Sequence, residues 1–495
     1  MNKKATLKTR QSSGCSLIGT LLAIALLLTI SGPALPQAPH VSYSFAKLET
    51  LGDKTPSHFY HINDFEPGGL NNRGDVIYGT DLGTSTDPAT FFGEGVFLRP
   101  SGETSELELA IAGGIAPGGG TFSSLILSPA AVNDSGDAAL AFALSPSMSP
   151  VGVNAGVYRY TFNKHVLTPV VVPFSTDAPA GGKFQGVAFE TWLNNRGDLV
   201  FSGIVQTDKG VHLPGEAYIG LGVGVFKADA RGHITSIVSP GDRAPGGGSF
   251  DFAGTSGAGG ASINEAGDVA FIAHVAGEES KFPNPPFPEQ GQLISALGSL
   301  YVKDASHGNI ISIAHAGDHA PGGGIFNEII SPVINDSGDI AFVGDITPCP
   351  PHTSPCPINN PLAVYFNSGH TTQAVALPGD SMPGGGKFVT SGFGTYVNNA
   401  GEVAFAAALD RNGVVESGLY VWSRGSVRLV ARTGTVIPGI GTIGQLSTGV
   451  AIIPPPPPGT FYPAGGPINN RGQILFGATL SDGKTGVLLL ATPHD

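Results

Sequence analysis

Seven copies of one short motif constrain this chain more than any other feature. They begin at Asn71, Asn133, Asn194, Asn264, Asn335, Asn398 and Asn469, and read NNRGDVIY, NDSGDAAL, NNRGDLVF, NEAGDVAF, NDSGDIAF, NNAGEVAF and NNRGQILF. Successive copies lie 62, 61, 70, 71, 63 and 71 residues apart. So long a period, kept through seven copies, means one supersecondary unit repeated into a larger assembly.

Each unit divides into four short β-patterned runs. Around the fifth motif these are 309–316, the stretch from Glu328 into the motif, the run 339–345 after the turn, and LAVYF at 362–366. Equivalents of the last run read GVFL at Gly95, GVYR at Gly156, GVFK at Gly224, SLYV at Ser299, GLYV at Gly418 and GVLL at Gly486. Between units runs a Gly/Pro loop: APGGGTF at Ala116, APAGGKF at Ala178, APGGGSF at Ala244, APGGGIF at Ala320 and MPGGGKF at Met382. It degenerates to IPGIGTI at Ile437 and to TPSHF at Thr55. Gly (73) and Pro (40) are abundant and both disfavour helix interiors, so short strands joined by turns are expected throughout. Four strands per unit, seven times, predicts an all-β, seven-bladed β-propeller of four-stranded antiparallel blades over 41–495. A parallel β-helix is the rival architecture, but its coils are usually shorter and lack this hairpin order.

The chain ends bear on closure. If a blade runs motif hairpin, GVYV-type strand, then the strand before GD, the seventh blade lacks its fourth strand. Residues 42–51 supply it by pairing with 486–490, which removes the exposed sheet edges of an open ring. Strand alternation then puts the motif turns on one face of the ring. The PGGG crossings and the inserts at 204–222, 274–298 and 346–361 fall on the other, where binding residues on loops are expected.

The motif itself has a structural explanation. Asn opens a type I turn and bonds backbone two residues on, while Gly74, Gly136, Gly197, Gly267, Gly338, Gly401 and Gly472 take the left-handed position. NDSGD faintly resembles a calcium loop, yet calcium needs six or more oxygens, and NNRG or NEAG supply too few. No cofactor is therefore expected, with calcium or another divalent cation as the rival reading. Better binding candidates lie beside the Gly/Pro loops, where Asp53, Asp177, Asp242, Asp318 and Asp380 would make an acidic rim suited to a cation, amine or hydroxyl-rich ligand. His315 and His319 flank Asp318, and His58 and His61 occur in the first unit alone. Two histidines four apart outside a helix are weak metal evidence, so no metal site is assigned. The chain carries no G-x-S-x-G, H-E-x-x-H or P-loop sequence, and no catalytic residue is assigned.

Residues 1–34 read as a signal peptide: Lys3, Lys4, Lys8 and Arg10, an apolar run at 17–30, then small residues up to Ala34. Without these four charges the chain keeps 21 basic against 38 acidic residues, a net of −17, which argues against nucleic acid as a partner. Cys349 and Cys356, the two cysteines left after cleavage, are expected to close a Pro-rich loop as a disulfide in an oxidising compartment. The repeated Asn-x-x-Gly-x-x-Ala-Phe core, best kept from Asn264, Asn335 and Asn398, resembles exported bacterial proteins with tandem NxxGxxAF repeats. That resemblance implies export and a β-repeat fold but transfers no catalytic residue. The resulting expectation is a monomeric periplasmic or extracellular binding module for a glycan or protein, with no membrane span after cleavage. An extracellular polysaccharide-active enzyme, hydrolase or lyase, is the alternative. Intact-mass measurement of the exported chain should give a mature N-terminus at Leu35, two hydrogens light for the Cys349–Cys356 bond.

Overall fold

A computed structural model describes residues 41–126, 130–146, 154–179, 181–207, 221–254, 260–276, 298–347, 361–369, 371–447 and 466–494. Residues 1–40, on which the expected signal peptide falls, and all three cysteines, among them Cys349 and Cys356 of the expected disulfide, lie outside the described residues. The strands form seven antiparallel sheets in chain order, the seven-bladed propeller expected, with two single-turn 3-10 segments and no α-helix among the described residues. In blade 1, inner strand Tyr60–Leu70 is followed outward by Val76–Gly83, Phe91–Arg99 and Leu107–Ile111. The inner strand of blade 5 starts at Ile325, three residues before the expected Glu328, because Phe326 already pairs with Ile346.

Closure occurs at the seventh blade. Ser42–Thr50 pairs antiparallel with Gly486–His494, in a register running from Ser42 opposite His494 to Thr50 opposite Val487, and Leu51 N–H donates to the Gly486 carbonyl at 2.9 Å. The first and last strands thus share one sheet, as predicted.

Each motif asparagine does more than shape its own turn. Asn335 Oδ1 accepts from Ser337 N (3.0 Å) and Asp339 N (2.9 Å), while its Nδ2 donates to the Asn398 carbonyl of the next blade at 3.0 Å. The same inter-blade bond runs Asn71 to Asn133, Asn133 to Asn194, Asn194 to Asn264 and Asn264 to Asn335. It continues from Asn398 to Asn469 and closes from Asn469 to Asn71 at 2.9 Å. All seven side chains are buried. A second ring follows from the next residue: the backbone N–H of Asn72 donates to Asp134, Asp134 to Asn195, Asn195 to Glu265, Glu265 to Asp336, Asp336 to Asn399, Asn399 to Asn470, and Asn470 to Asn72.

Apolar faces fill the space between blades. In blade 5, Phe326, Phe342 and Tyr365 form a trio, with Phe326 edge-on to Tyr365 at 4.9 Å and Phe342 stacked on Tyr365 at 5.4 Å. Such pairs add about 0.5–1.5 kcal/mol each beyond burial. The crossing loop that delivers Phe326 needs its glycines: Gly322, Gly323 and Gly324 all have φ between 85° and 116°, where side chains are strained.

The channel is narrowed at the asparagine-ring end. Trp192 of blade 3 and Tyr396 of blade 6 meet across it with centroids 6.2 Å apart, beside a cavity of about 120 Å³ lined also by Leu70, Val132 and Ile468. Replacing Asn335 by Asp keeps its acceptor, removes the bond to Asn398 and sets a carboxylate against Asp339. Urea denaturation should show a loss of about 2 kcal/mol, whereas Ser337→Ala, which touches the ring through backbone alone, should stay within about 0.5 kcal/mol.

Candidate functional site

The seven units are not equivalent at the crossing-loop face, and the departures concentrate in blade 1. There the loop reads Thr55-Pro-Ser-His-Phe where three other units have APGGG and three have close variants, yet it keeps the same turn: Thr55 N–H bonds the Phe59 carbonyl at 2.9 Å, as Ala116 bonds Gly120 at 3.1 Å. His58 accepts a φ of 68° to do so, an uncommon conformation for a residue other than glycine, though one that His adopts more readily than most. What the loop gains is a ring. Phe59 stacks on Phe92 with centroids 4.5 Å apart and planes 9° from parallel. Phe91 (45% exposed) and Phe92 (40%), on the third strand of the blade, and Ile115 (87%), in the crossing to blade 2, are open to solvent. Apolar groups gathered at a surface mark interaction sites more often than scattered ones do.

Carboxylates lie next to this platform. Asp81, near the crossing end of the second strand, sits directly opposite Glu94, two residues beyond Phe92. Asn63 donates to Asp81 at 2.6 Å, and Asp64 accepts from Ser447 Oγ of blade 7 at 2.6 Å. Glu66 is pushed up to about 8, first by burial and then by the charges of Glu94, Asp64 and Asp81. Burial also raises Asp81. Among the described residues no basic group offsets Glu66, so the cluster can take a cation or hydrogen-bond donors.

Two further blades carry polar groups at the corresponding level. The tenth residue after the motif Asn is Asp81 in blade 1, His274 in blade 4 and Asp345 in blade 5, against Ala143, Ile204, Ala408 and Thr479 elsewhere. His274 Nδ1 meets Asp251 Oδ1 at 2.7 Å. Asp345 lies across from Glu328, and each keeps one buried oxygen without a hydrogen-bond partner among the described residues. Burial pushes Asp345 up to about 7, while burial and then the Asp345 charge raise Glu328 well above the usual carboxylate range.

The residues singled out from the sequence are placed differently. Asp242, Asp318 and Asp380 each cap a turn, accepting from the backbone N–H three residues earlier: Ser239 (2.8 Å), His315 (2.9 Å) and Leu377 (2.8 Å). Asp53 does the same for Thr50, and Asp177 instead pairs with Lys183. His315 bonds Ser312 Oγ at 2.9 Å and lies edge-on to Tyr301, whereas His319 is exposed. No contact joins one crossing's aspartate to the next among the described residues. His61 is wholly buried. Sequence reasoning missed Asp81, Glu94, Glu328 and Asp345, although aligning the tenth residue after each motif Asn exposes three polar departures.

The raised carboxylates set a pH dependence. Asp345, near 3.8 when unfolded and about 7 when folded, holds its proton more tightly in the folded chain. Its contribution to stability is whole below about pH 3.8 and is lost as pH rises through 7. Glu66 acts likewise between its ordinary 4.5 and about 8. Urea midpoints should therefore fall from pH 5 to pH 8, and Asp345→Asn with Glu66→Gln should flatten that fall.

No curated protein matches the sequence. Among solved structures the chain is similar to an oligogalacturonate lyase in complex with manganese, at 13% identity and TM-score 0.45, covering 92% of this chain and 98% of that one. It is similar to a polysaccharide lyase at 8% identity and TM-score 0.44, covering 84% and 88%. A β-propeller domain of a protease from Pyrococcus furiosus aligns at 9% identity and TM-score 0.42, covering 88% and 99%. Likeness at these identities concerns architecture alone. A family model spans residues 42–493, the whole closed ring, and the chain belongs to that family, DUF7453, a family of unknown function.

Proposed function

We propose that this propeller is an exported binding module for a hydroxyl-rich ligand, a glycan, held at the crossing-loop face of blade 1. The observation that carries this reading is the stacked Phe59–Phe92 pair, flanked by exposed Phe91 and set beside Asp81 and Glu94. Sugar rings offer apolar C–H faces to aromatic rings and hydroxyl donors to carboxylates, so one ligand class satisfies both halves of the patch. The net acidic charge of the chain fits a neutral or cationic glycan better than a polyanionic one. The channel is narrowed at the opposite end by Trp192 and Tyr396, and the departures from the repeat gather at the crossing-loop face.

A second reading is favoured by Glu328 and Asp345. Two facing carboxylates with raised pKa values are what acid–base work on a glycosidic bond would use, with one held protonated near neutrality. Under that reading the glycan is cleaved and not merely held.

Affinity electrophoresis of the mature chain through soluble neutral, cationic and anionic polysaccharides tests the first reading. A neutral or cationic polymer should retard migration, and Phe92→Ala should weaken retardation about tenfold, the scale of losing one aromatic anchor. Retardation by none of the polymers, or retardation indifferent to Phe92→Ala and Glu94→Gln, would overturn it. Release of reducing ends that Asp345→Asn abolishes would move the conclusion to the enzyme reading.

A further inference from the structure

The first unit differs from the others in its core as well as at its surface. The residue that closes each crossing loop is Phe122, Phe184, Phe250, Phe326, Phe388 or Ile443 in six units, and His61 in the first. His61 occupies the same aromatic trio, 5.1 Å from Phe97 and 6.2 Å from Tyr78, and is wholly buried. An imidazole in a phenylalanine site costs desolvation unless something recovers it.

Its surroundings are built for a charge. Nε2 faces Glu106 Oε1 at 3.2 Å. Glu49 approaches from the closing N-terminal strand, so that one donor atom each from Glu49, His61 and Glu106 all lie within 4.8 Å of one another. Both carboxylates are held from behind: Arg99 donates to Glu49 and to the Leu48 carbonyl, and the Tyr78 hydroxyl donates to the other oxygen of Glu106. Outer donors of this kind fix the orientation of metal-binding carboxylates. His61 Nδ1 has no hydrogen-bond partner among the described residues. Arg99 answers Glu49 alone, so the buried Glu106 faces only the imidazole and a phenol hydroxyl, a setting that a cation between the carboxylates would complete.

We propose that Glu49, His61 and Glu106 form a binding site for a divalent transition-metal ion of the zinc class, seated in the seam where the N-terminal strand meets blade 1. One nitrogen and two carboxylate donors suit such an ion, whereas calcium requires a larger all-oxygen shell. The ion would tie the closing strand to the first blade, adding a second lock to the hydrogen-bonded closure of blade 7. Its competitor is a proton shared between His61 and Glu106, which balances the same charge without metal.

The untagged full chain, stripped with EDTA, should bind ZnCl2 by calorimetry at one equivalent per chain, with a rise in Tm that MgCl2 does not produce. His61→Phe, which restores the residue five other units carry at this position, should fold and bind Zn2+ about tenfold or more weakly. Glu106→Gln should weaken binding similarly and keeps the test valid if the histidine variant misfolds. Absence of Zn2+ binding to the parent chain would overturn the proposal and leave the proton-balanced network. Unchanged binding in both variants would also overturn it, since the ion would then sit on other histidines.

Discussion

The fold depends on one hydrogen bond made seven times. Apolar faces between blades supply most of the cohesion, but burial is non-directional and does not by itself set how one blade is rotated against the next. The motif asparagine sets it. Its oxygen holds its own turn while its nitrogen takes the carbonyl of the neighbouring blade's asparagine, so local turn geometry and inter-blade spacing are fixed by one side chain. The last of these bonds, from Asn469 to Asn71, joins residues 398 apart in the chain. A buried amide that loses its partner exposes a carbonyl to an environment with no water to replace it, which makes the ring intolerant of substitution.

Rigidity at that end leaves the other end free to vary. Trp192 and Tyr396 narrow the channel beneath the asparagine ring, and the turns there are short. At the crossing-loop face the repeat is broken by Asp81, His274 and Asp345 in strand positions that are aliphatic in three other units and threonine in one. Strand interiors do not otherwise need charge. Burial raises the pKa of Asp345 and Glu66, so these groups weaken the fold near neutral pH. Blade 1 concentrates the departures, holding a stacked aromatic pair outside and an imidazole in its core.

Much of this architecture was legible because turns obey local rules. Asn at the start and Gly three residues on specify a bulged hairpin wherever they occur, and the missing fourth strand of unit seven follows from counting. The site was less legible. Asp242, Asp318 and Asp380 looked like ligands because they border loops, yet each caps a turn for a backbone N–H three residues earlier. Asp345 and Glu328 passed unnoticed because a carboxylate in a strand gives no sign of its neighbours until the strands are in register.

The sequence by itself determined the blade count, the hairpin turns and the closure of the ring. These rest on period, alternation and backbone preferences, all properties of residues near one another in the chain. Only the tertiary structure decided that the asparagines link blade to blade, that Phe59 stacks on Phe92, and that Glu49, His61 and Glu106 converge at the seam. Those contacts depend on the twist of each blade and the angle between blades, and a chain read one residue at a time carries neither.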